Sequence, residues 1–332
     1  MNSFLHNLRV RARKKHAKKI IFPEAKNERV LEAAQIILKE KIATPVFVCD
    51  SIDAPKIKAL GLECAPKEEK RIDSLQELLL ELRSGKSDPE KKLSKEEARS
   101  LAHDSLMYGM YLLRLGEGDG LVAGASYPTA DVLRAGLWLV GKAEGIQTVS
   151  SSFYMIVPPF RDNGTEEVLT FSDCAVVPQP TSEQLADIAI SAADARSRIV
   201  ADVPKIALLS YSTKGSGGTG QSITLVREAL KLVRAKRPNL SIDGEMQADA
   251  ALCSAISEQK SPENVIKGAA NILIFPSLDA ANISYKLVSS LCPGTRALGP
   301  ILQGMKKPIS DLSRGAKTHD IVDIVSIVSS QI

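Results

Sequence analysis

Short apolar runs alternate with stretches of helical period along most of the chain. The runs predict strands at Lys19–Phe22, Pro45–Cys49, Gly120–Ala123, Gln147–Ser150, Lys205–Leu209, Leu240–Gly244, Asn271–Pro276 and Arg296–Leu302. Helices are predicted between them, at Glu28–Glu40, Ser74–Arg83, Lys95–Leu115, Ala130–Gly141, Ser182–Ala201, Ser222–Lys236, Leu278–Leu291 and Thr318–Ser329. Repeated strand-then-helix order predicts an α/β protein whose parallel sheets carry helices on both faces. The strands fit that arrangement, because Ile272-Leu273-Ile274-Phe275 and Ala207-Leu208-Leu209 are unbroken apolar runs, as burial on both sides requires.

One stretch breaks the rhythm. From Val149 to Val177, two apolar runs flank a polar Arg-Asp-Asn-Gly tip, which predicts an antiparallel hairpin. A hairpin that opens a new set of strand–helix units suits a domain start, so the boundary falls near residue 146. Ser84–Lys95 is polar, carries Pro89 and predicts an exposed loop.

Length supports two domains, since 332 residues exceed one ordinary core. Apolar residues at 44% and charged residues at 25% suit a soluble globular chain and no apolar run approaches a bilayer span, so neither a membrane nor disorder is expected. A formal charge of +4 does not call for nucleic acid and is compatible with small anionic substrates. Five scattered cysteines without a Cys-x-x-Cys pair, and four histidines without ligand spacing, predict no bound metal and a reducing, cytoplasmic setting. Arg9, Arg11, Arg13, Lys14, Lys15, Lys18 and Lys19 precede the first acid, Glu24. They read as a surface helix, with a transit peptide or nucleic-acid arm as the alternatives.

The chemistry concentrates at strand ends. Near the C-terminus, Lys307-Pro-Ile-Ser-Asp-Leu-Ser-Arg-Gly315 sets Ser313, Arg314 and a glycine just before Asp320. A guanidinium beside a glycine grips an oxyanion, and a nearby carboxylate can take a proton from a nucleophile held there. Arg29 lies one turn into the helix after the first strand, within reach of a ligand or simply on the surface. Asp119–Ala125 ends in small residues before Thr129 and Arg134 at a helix start, which suits close approach of an anion or tight packing. Ser210–Gly220 follows a strand, is rich in hydroxyls and glycine, and carries Lys214; it is a phosphate cradle or a flexible loop. Asp243, Glu245 and Asp249 cluster at another strand end, for proton transfer or for capping and ion pairs. Asn282 and Lys286 share a helix face.

These motifs, in this order, resemble the phosphate acetyltransferases (phosphotransacetylases) of the phosphate acetyl/butyryltransferase family. The resemblance runs through Phe-Pro-Glu-Ala with Arg29, Asp-Gly-Leu-Val-Ala-Gly-Ala, Thr-Ala-Asp-Val-Leu-Arg, Ser-Asp-Cys-Ala-Val-Val, Ser-Tyr-Ser-Thr-Lys-Gly-Ser, Asp-Gly-Glu-Met-Gln-Ala-Asp, Asn-Ile-Ser-Tyr-Lys and Asp-Leu-Ser-Arg-Gly. It implies two α/β/α domains of the isocitrate/isopropylmalate dehydrogenase type: residues 1–145 plus 296–332, and residues 146–295, with the active site in the cleft between them. It implies transfer of an acetyl group between coenzyme A and inorganic phosphate, giving acetyl phosphate, in a ternary complex. Coenzyme A is then a substrate, no cofactor is tightly bound, and the assembly is a homodimer.

By the same resemblance, Asp320, Ser313 and Arg314 are catalytic. Arg134, Arg83, Arg29, Thr129, Ser212, Thr213, Lys214 and Lys286 contact phosphate or coenzyme A. Asp320 would take the thiol proton, Ser313 would hydrogen-bond the oxyanion, and Arg314 with Arg134 would hold phosphate. Tyr127-Pro128 and Tyr211 depart from the family's usual residues and bear on local acyl or coenzyme A contacts. Three other readings compete: an acyltransferase for a longer group such as butyryl, a dehydrogenase of the same architecture, and a catalytically silent module that binds coenzyme A. Cys174 as an acyl carrier ranks low, because no histidine lies near it in sequence to activate it.

Overall fold

The computed structural model describes residues 3–14, 18–84, 92–161 and 164–332. Lys15 of the basic stretch, residues 85–91 of the polar loop, and Asp162 and Asn163 of the hairpin tip lie outside the described residues.

In chain order the elements are α1 (Ser3–Lys14), β1 (Lys19–Phe22), α2 (Glu28–Lys39), β2 (Thr44–Cys49), α3 (Ala54–Ala59) and β3 (Glu63–Pro66). There follow α4 (Glu69–Ser84), α5 (Lys95–His103), α6 (Ser105–Leu115), β4 (Gly120–Ala123) and α7 (Thr129–Ala135), which runs into a π-helical turn at Gly136–Val140. Then come β5 (Ser150–Val157), β6 (Glu167–Ser172), α8 (Ser182–Ile199), β7 (Lys205–Leu209), α9 (Gln221–Lys236), β8 (Ser241–Met246), α10 (Ala248–Leu252) and α11 (Ser254–Lys260). The last are β9 (Ile272–Ile274), α12 (Leu278–Leu291), β10 (Arg296–Gln303), β11 (Ile309–Asp311) and α13 (Thr318–Ser330). The chain divides into two compact units, Met1–Ala143 with Met305–Ile332, and Glu144–Gly304.

In the first unit the strands run parallel in the order β3-β2-β1-β4-β11. Successive side chains of one strand serve opposite layers. Ile21, Val48 and Leu121 meet α6 at Gly109, where an added Cβ would come within 3.3 Å of both Ile21 and Leu121. Ile20 and Gly120 instead meet Val328 of α13. Two covered faces explain why these strands are apolar at every position. The long helix expected over Lys95–Leu115 is two helices. Asp104 adopts an extended backbone (φ −67°, ψ 132°), and its carboxylate accepts the N–H groups of Leu106 and Met107 at 3.0 Å each, capping α6.

Arg9, Arg11, Arg13 and Lys14 of the basic stretch lie on α1, which buries Leu5, Leu8 and Ala12, and Lys19 opens β1. Arg9 pairs with buried Asp323 of α13 at 2.7 Å and with Glu40 at 3.2 Å, and Arg13 pairs with Glu40 at 2.5 Å. Two of its arginines thus serve packing within the unit.

The second unit has the order β10-β5-β6-β9-β7-β8. β5 is antiparallel to β6, as the hairpin pattern predicts, and also to β10; the remaining pairs are parallel. Its sheet is therefore mixed. Ile206, Leu208, Ile272 and Ile274 pack with α8 and α9, while Ala207, Leu209 and Leu273 pack in a separate cluster with Ala251 and Ala281 of α10 and α12. Residues 296–304 belong to this unit, whereas the sequence reading assigns them to the first. The reason is β10's antiparallel pairing with β5, from Arg296 opposite Ile156 to Gln303 opposite Ser150.

Candidate active site

β11 leads into the Ser313–Asp320 string. Asp311 ends that strand, Leu312 is buried with its N–H on the Ala123 carbonyl at 2.6 Å, and Ser313, Arg314 and Gly315 are exposed. The turn is held locally: the Ala316 N–H donates to the Ser313 carbonyl at 2.8 Å, and the Gly315 N–H to Ser313 Oγ at 3.4 Å. Arg29 of α2 grips it from outside, donating to the carbonyls of Arg314 at 3.0 Å and Ala316 at 2.6 Å, and to that of Ala125 at 3.5 Å. From sequence, the expected partner of Arg29 is a substrate anion; in the fold its guanidinium holds the carbonyls of the 313–316 turn.

α13 begins right after the turn. Asp320 is in its first turn, half-buried, with Oδ2 accepting the Lys317 N–H at 3.1 Å and Oδ1 lying 3.3 Å from His319 Nε2. Thr318 donates to Glu32 of α2 at 2.8 Å. Ser313, Arg314 and Asp320 thus share one continuous turn and helix start, at the carboxyl end of a parallel strand, where open α/β sheets bind ligands.

Beneath this turn lies a buried carboxyl that sequence reading assigned no role. Asp311 is 1% exposed, and its Oδ2 accepts the Thr129 hydroxyl at 2.5 Å, while Oδ1 is buried without a hydrogen-bond partner among the described residues. Burial pushes its pKa up to about 7, against the opposing hydrogen bonds of Thr129 and the Leu312 N–H, with the charge of Glu24 adding to the rise. Glu24, also buried, accepts the N–H groups of Ala125 at 3.1 Å, Tyr127 at 3.3 Å and Ser126, and so shapes the β4–α7 connection. Thr129 therefore spends its hydroxyl on Asp311. The sequence signal for Glu24 is a carboxylate just past an apolar strand, whereas Asp311 ends a strand of only three residues, two of them polar.

Arg134 and Arg83 converge on one ring. Arg134 pairs with Asp131 at 2.9 Å and lies 5.9 Å from the centre of Trp138; Arg83 lies 4.4 Å from the same ring. A cavity of about 370 Å³ opens beside β1 and β2, lined by residues such as Lys26, Asn27, Asp50, Ser126 and Tyr127, and by none of the sequence-predicted site residues.

In the second unit the glycine-rich loop is anchored. The Lys214 ammonium donates to the buried carboxylate of Asp243 and to the Gly244 carbonyl at 2.9 Å. Ser212 donates to Glu245 at 3.0 Å and accepts the Gly217 N–H; Thr213 accepts the Gln247 N–H at 3.0 Å. Burial opposes ionisation of Glu245, but Arg227, the Gly215 N–H and Ser212 outweigh it and hold its pKa at about 2. Of the open alternatives for these acids, capping and ion pairing is what the geometry displays. Lys286 is exposed on α12, 5.3 Å from the Tyr285 ring, and Asn282 donates to the Cys174 carbonyl at 3.2 Å. Cys174 is fully buried, and burial pushes its thiol well above its ordinary value, which does not suit an acyl carrier. Among the described residues no group of histidine, cysteine and carboxylate side chains is set to hold a metal ion. None of the described helices is long and apolar enough to cross a membrane.

A family model described as phosphate acetyl/butaryl transferase matches residues 3–329. A phosphate acetyltransferase from Treponema pallidum is 41% identical over 323 residues, covering 95% of this chain and 94% of that protein. A solved phosphotransacetylase from Streptococcus pyogenes superimposes with a TM-score of 0.87 at 34% identity, over 99% of this chain and 98% of that one. A 4-hydroxythreonine-4-phosphate dehydrogenase from Klebsiella pneumoniae, at 13% identity and a TM-score of 0.51 over 94% of this chain and 98% of that one, shares the fold alone.

Proposed function

The chain belongs to the phosphate acetyl/butaryl transferase family, and from that premise we propose that it moves an acetyl group reversibly between coenzyme A and inorganic phosphate. The observation that carries the proposal is the run from Ser313 to Asp320. The Ser313 hydroxyl and the Asp320 carboxylate are held by local hydrogen bonds in one turn and helix start, with Arg314 between them and Arg29 fixing the turn's carbonyls. The acetyl rather than the butyryl reading is supported by the name of the 41% identical relative.

In the direction of thioester formation, coenzyme A and acetyl phosphate are bound together. Asp320 takes the thiol proton as sulfur attacks the acetyl carbon. An ordinary carboxylate is about five pKa units short of an ordinary thiol, so the thiolate needs cations beside it. Arg314 and Arg134 supply that charge and hold the phosphoryl oxygens. Ser313 donates to the oxyanion of the tetrahedral intermediate, and phosphate departs as the carbonyl re-forms. No acyl-enzyme is required, since holding both substrates in one complex supplies much of the rate. Coenzyme A is a substrate in this reading, with no tightly bound cofactor, in the cytoplasm. A homodimer belongs to the same proposal, supported by the exposed apolar stripe of Ile283, Leu287 and Leu291 on α12.

The test is thioester formation from coenzyme A with a series of acyl phosphates, followed by ultraviolet absorbance. Acetyl phosphate should turn over fastest, and Asp320→Asn should lower kcat by roughly a hundredfold or more, the usual worth of a general base. No thioester from any acyl phosphate leaves the silent-module reading; near-normal kcat in Asp320→Asn removes the base.

A further inference from the structure

Trp138 is the only tryptophan of the chain. It lies in the π-helical turn that follows α7, closed by the Gly141 N–H reaching back to the Gly136 carbonyl at 2.9 Å. Arg114 of α6 donates to the Leu139 carbonyl at 2.8 Å and holds the turn from behind. The half-buried indole gathers two cations from distant parts of the sequence. Arg83, in the last turn of α4, stacks at 4.4 Å, and Arg134, four residues back, lies at 5.9 Å. Asp131 steadies Arg134 from its other side at 2.9 Å.

Two guanidinium groups brought to one place repel each other. The negative face of an indole offsets part of that repulsion, and planar guanidinium groups stack on it well. Groups held in place beforehand lose less freedom when a ligand arrives. We infer that Trp138 is a positioning residue for substrate binding: its ring pairs Arg83 with Arg134 as a preformed grip for the phosphate groups of the substrates. This rests on the proposed reading that these arginines bind substrate anions. Trp138 acts through them and touches no reacting atom, so its removal raises KM and lowers kcat less than loss of Arg134 itself does.

The experiment compares Trp138→Leu, Trp138→Phe, Arg83→Gln and Arg134→Gln, with KM for coenzyme A and for inorganic phosphate measured against kcat. Loss of two cation–π contacts should raise at least one of these KM values roughly five- to thirtyfold in Trp138→Leu, with kcat lowered less than in Arg134→Gln. Trp138→Phe, which keeps a ring face, should restore most of the loss, and Arg83→Gln should cost less in the Trp138→Leu background than alone. Unchanged KM in Trp138→Leu beside raised KM in Arg134→Gln overturns the inference and spares the functional reading. Unchanged KM in both arginine variants overturns the reading that they bind substrate, and the inference with it. If Trp138→Leu does not fold, the unsubstituted protein decides through its single fluorophore. Its emission should shift on titration with coenzyme A, with a half-saturation that rises in Arg83→Gln; emission unmoved at saturating coenzyme A overturns the inference.

Discussion

Thr129 donates its hydroxyl to the buried carboxyl of Asp311 across 2.5 Å, tying the first residue of α7 to the last residue of β11. The carboxyl's ordinary value is 3.8, and in the folded protein burial raises it to about 7. Between those values the folded state binds the proton that the unfolded chain has lost. The stabilisation is therefore complete below about pH 4 and drains away as pH rises through 7, by an amount on the order of 4 kcal/mol. Asp311→Asn should abolish this component. Urea midpoints measured from pH 4 to pH 8 should fall more steeply in the unsubstituted protein than in the variant. Parallel profiles would remove the raised titration.

Arg29 holds the 313–316 turn by two backbone carbonyls, those of Arg314 and Ala316. Hydrogen bonds from a charged donor are worth about 1.5–3 kcal/mol each, so cutting them should raise opening of the turn by roughly tenfold or more. Arg314 is exposed and precedes Gly315, which makes the turn a trypsin site. Arg29→Gln should speed cleavage after Arg314 by that factor and lower kcat together with it. Cleavage at the unsubstituted rate, with a raised KM for phosphate, would instead make Arg29 a substrate ligand.

The glycine-rich loop of the second unit gives the opposite expectation. Lys214 neutralises buried Asp243, and Arg227 with Ser212 and the Gly215 N–H neutralises buried Glu245. With its folded value near 2 against an ordinary 4.5, Glu245 contributes stability that is complete above about pH 4.5 and is lost as pH falls toward 2, worth on the order of 3 kcal/mol at neutral pH. Glu245→Gln should flatten the acid limb of the stability profile. Lys214→Met should destabilise by about 1.5–3 kcal/mol, because Asp243 loses its shorter charged hydrogen bond and keeps Arg234 at 3.3 Å, while the KM values of the folded fraction stay within about twofold. A large rise in KM with unchanged stability would return Lys214 to the substrate.

The alternation of strands and helices was legible because Ile20-Ile21-Phe22 and Ile272-Leu273-Ile274 are buried on both faces, and such strands need no polar positions. β11 was not, since Ile309-Ser310-Asp311 is short and two of its three buried residues are polar. Nor was the partner of β10: an apolar strand carries no mark of which neighbour it pairs with, and β5 claims it from about 150 residues upstream. The placement of Ser313, Arg314 and Asp320 side by side was legible because one turn and helix start holds them in sequence order. Trp138 was not, because Arg83 and Arg134 meet it only once α4 and α7 are folded. The loop at 210–220 reads two ways for a chemical reason: hydroxyls, glycines and one lysine serve an anchored turn as well as an anion cradle. The acids that anchor it, Asp243 and Glu245, lie some thirty residues downstream.

α12 bears the last expectation. Ile283, Leu287 and Leu291 recur at helical spacing and are 58%, 52% and 75% exposed. Single exposed apolar residues are ordinary, but three in register make a continuous stripe of the kind that contacts another chain. Covering each side chain is worth about 1–2 kcal/mol, enough together to bias association of two identical faces. Light scattering after size exclusion should give twice the chain mass, 35.7 kDa for one copy, at micromolar concentration. Leu287→Glu puts a like charge at the same place on both copies and should shift the mass to that of one chain. A protein that is already monomeric at those concentrations, or a Leu287→Glu dimer of unchanged mass, would take α12 out of the assembly.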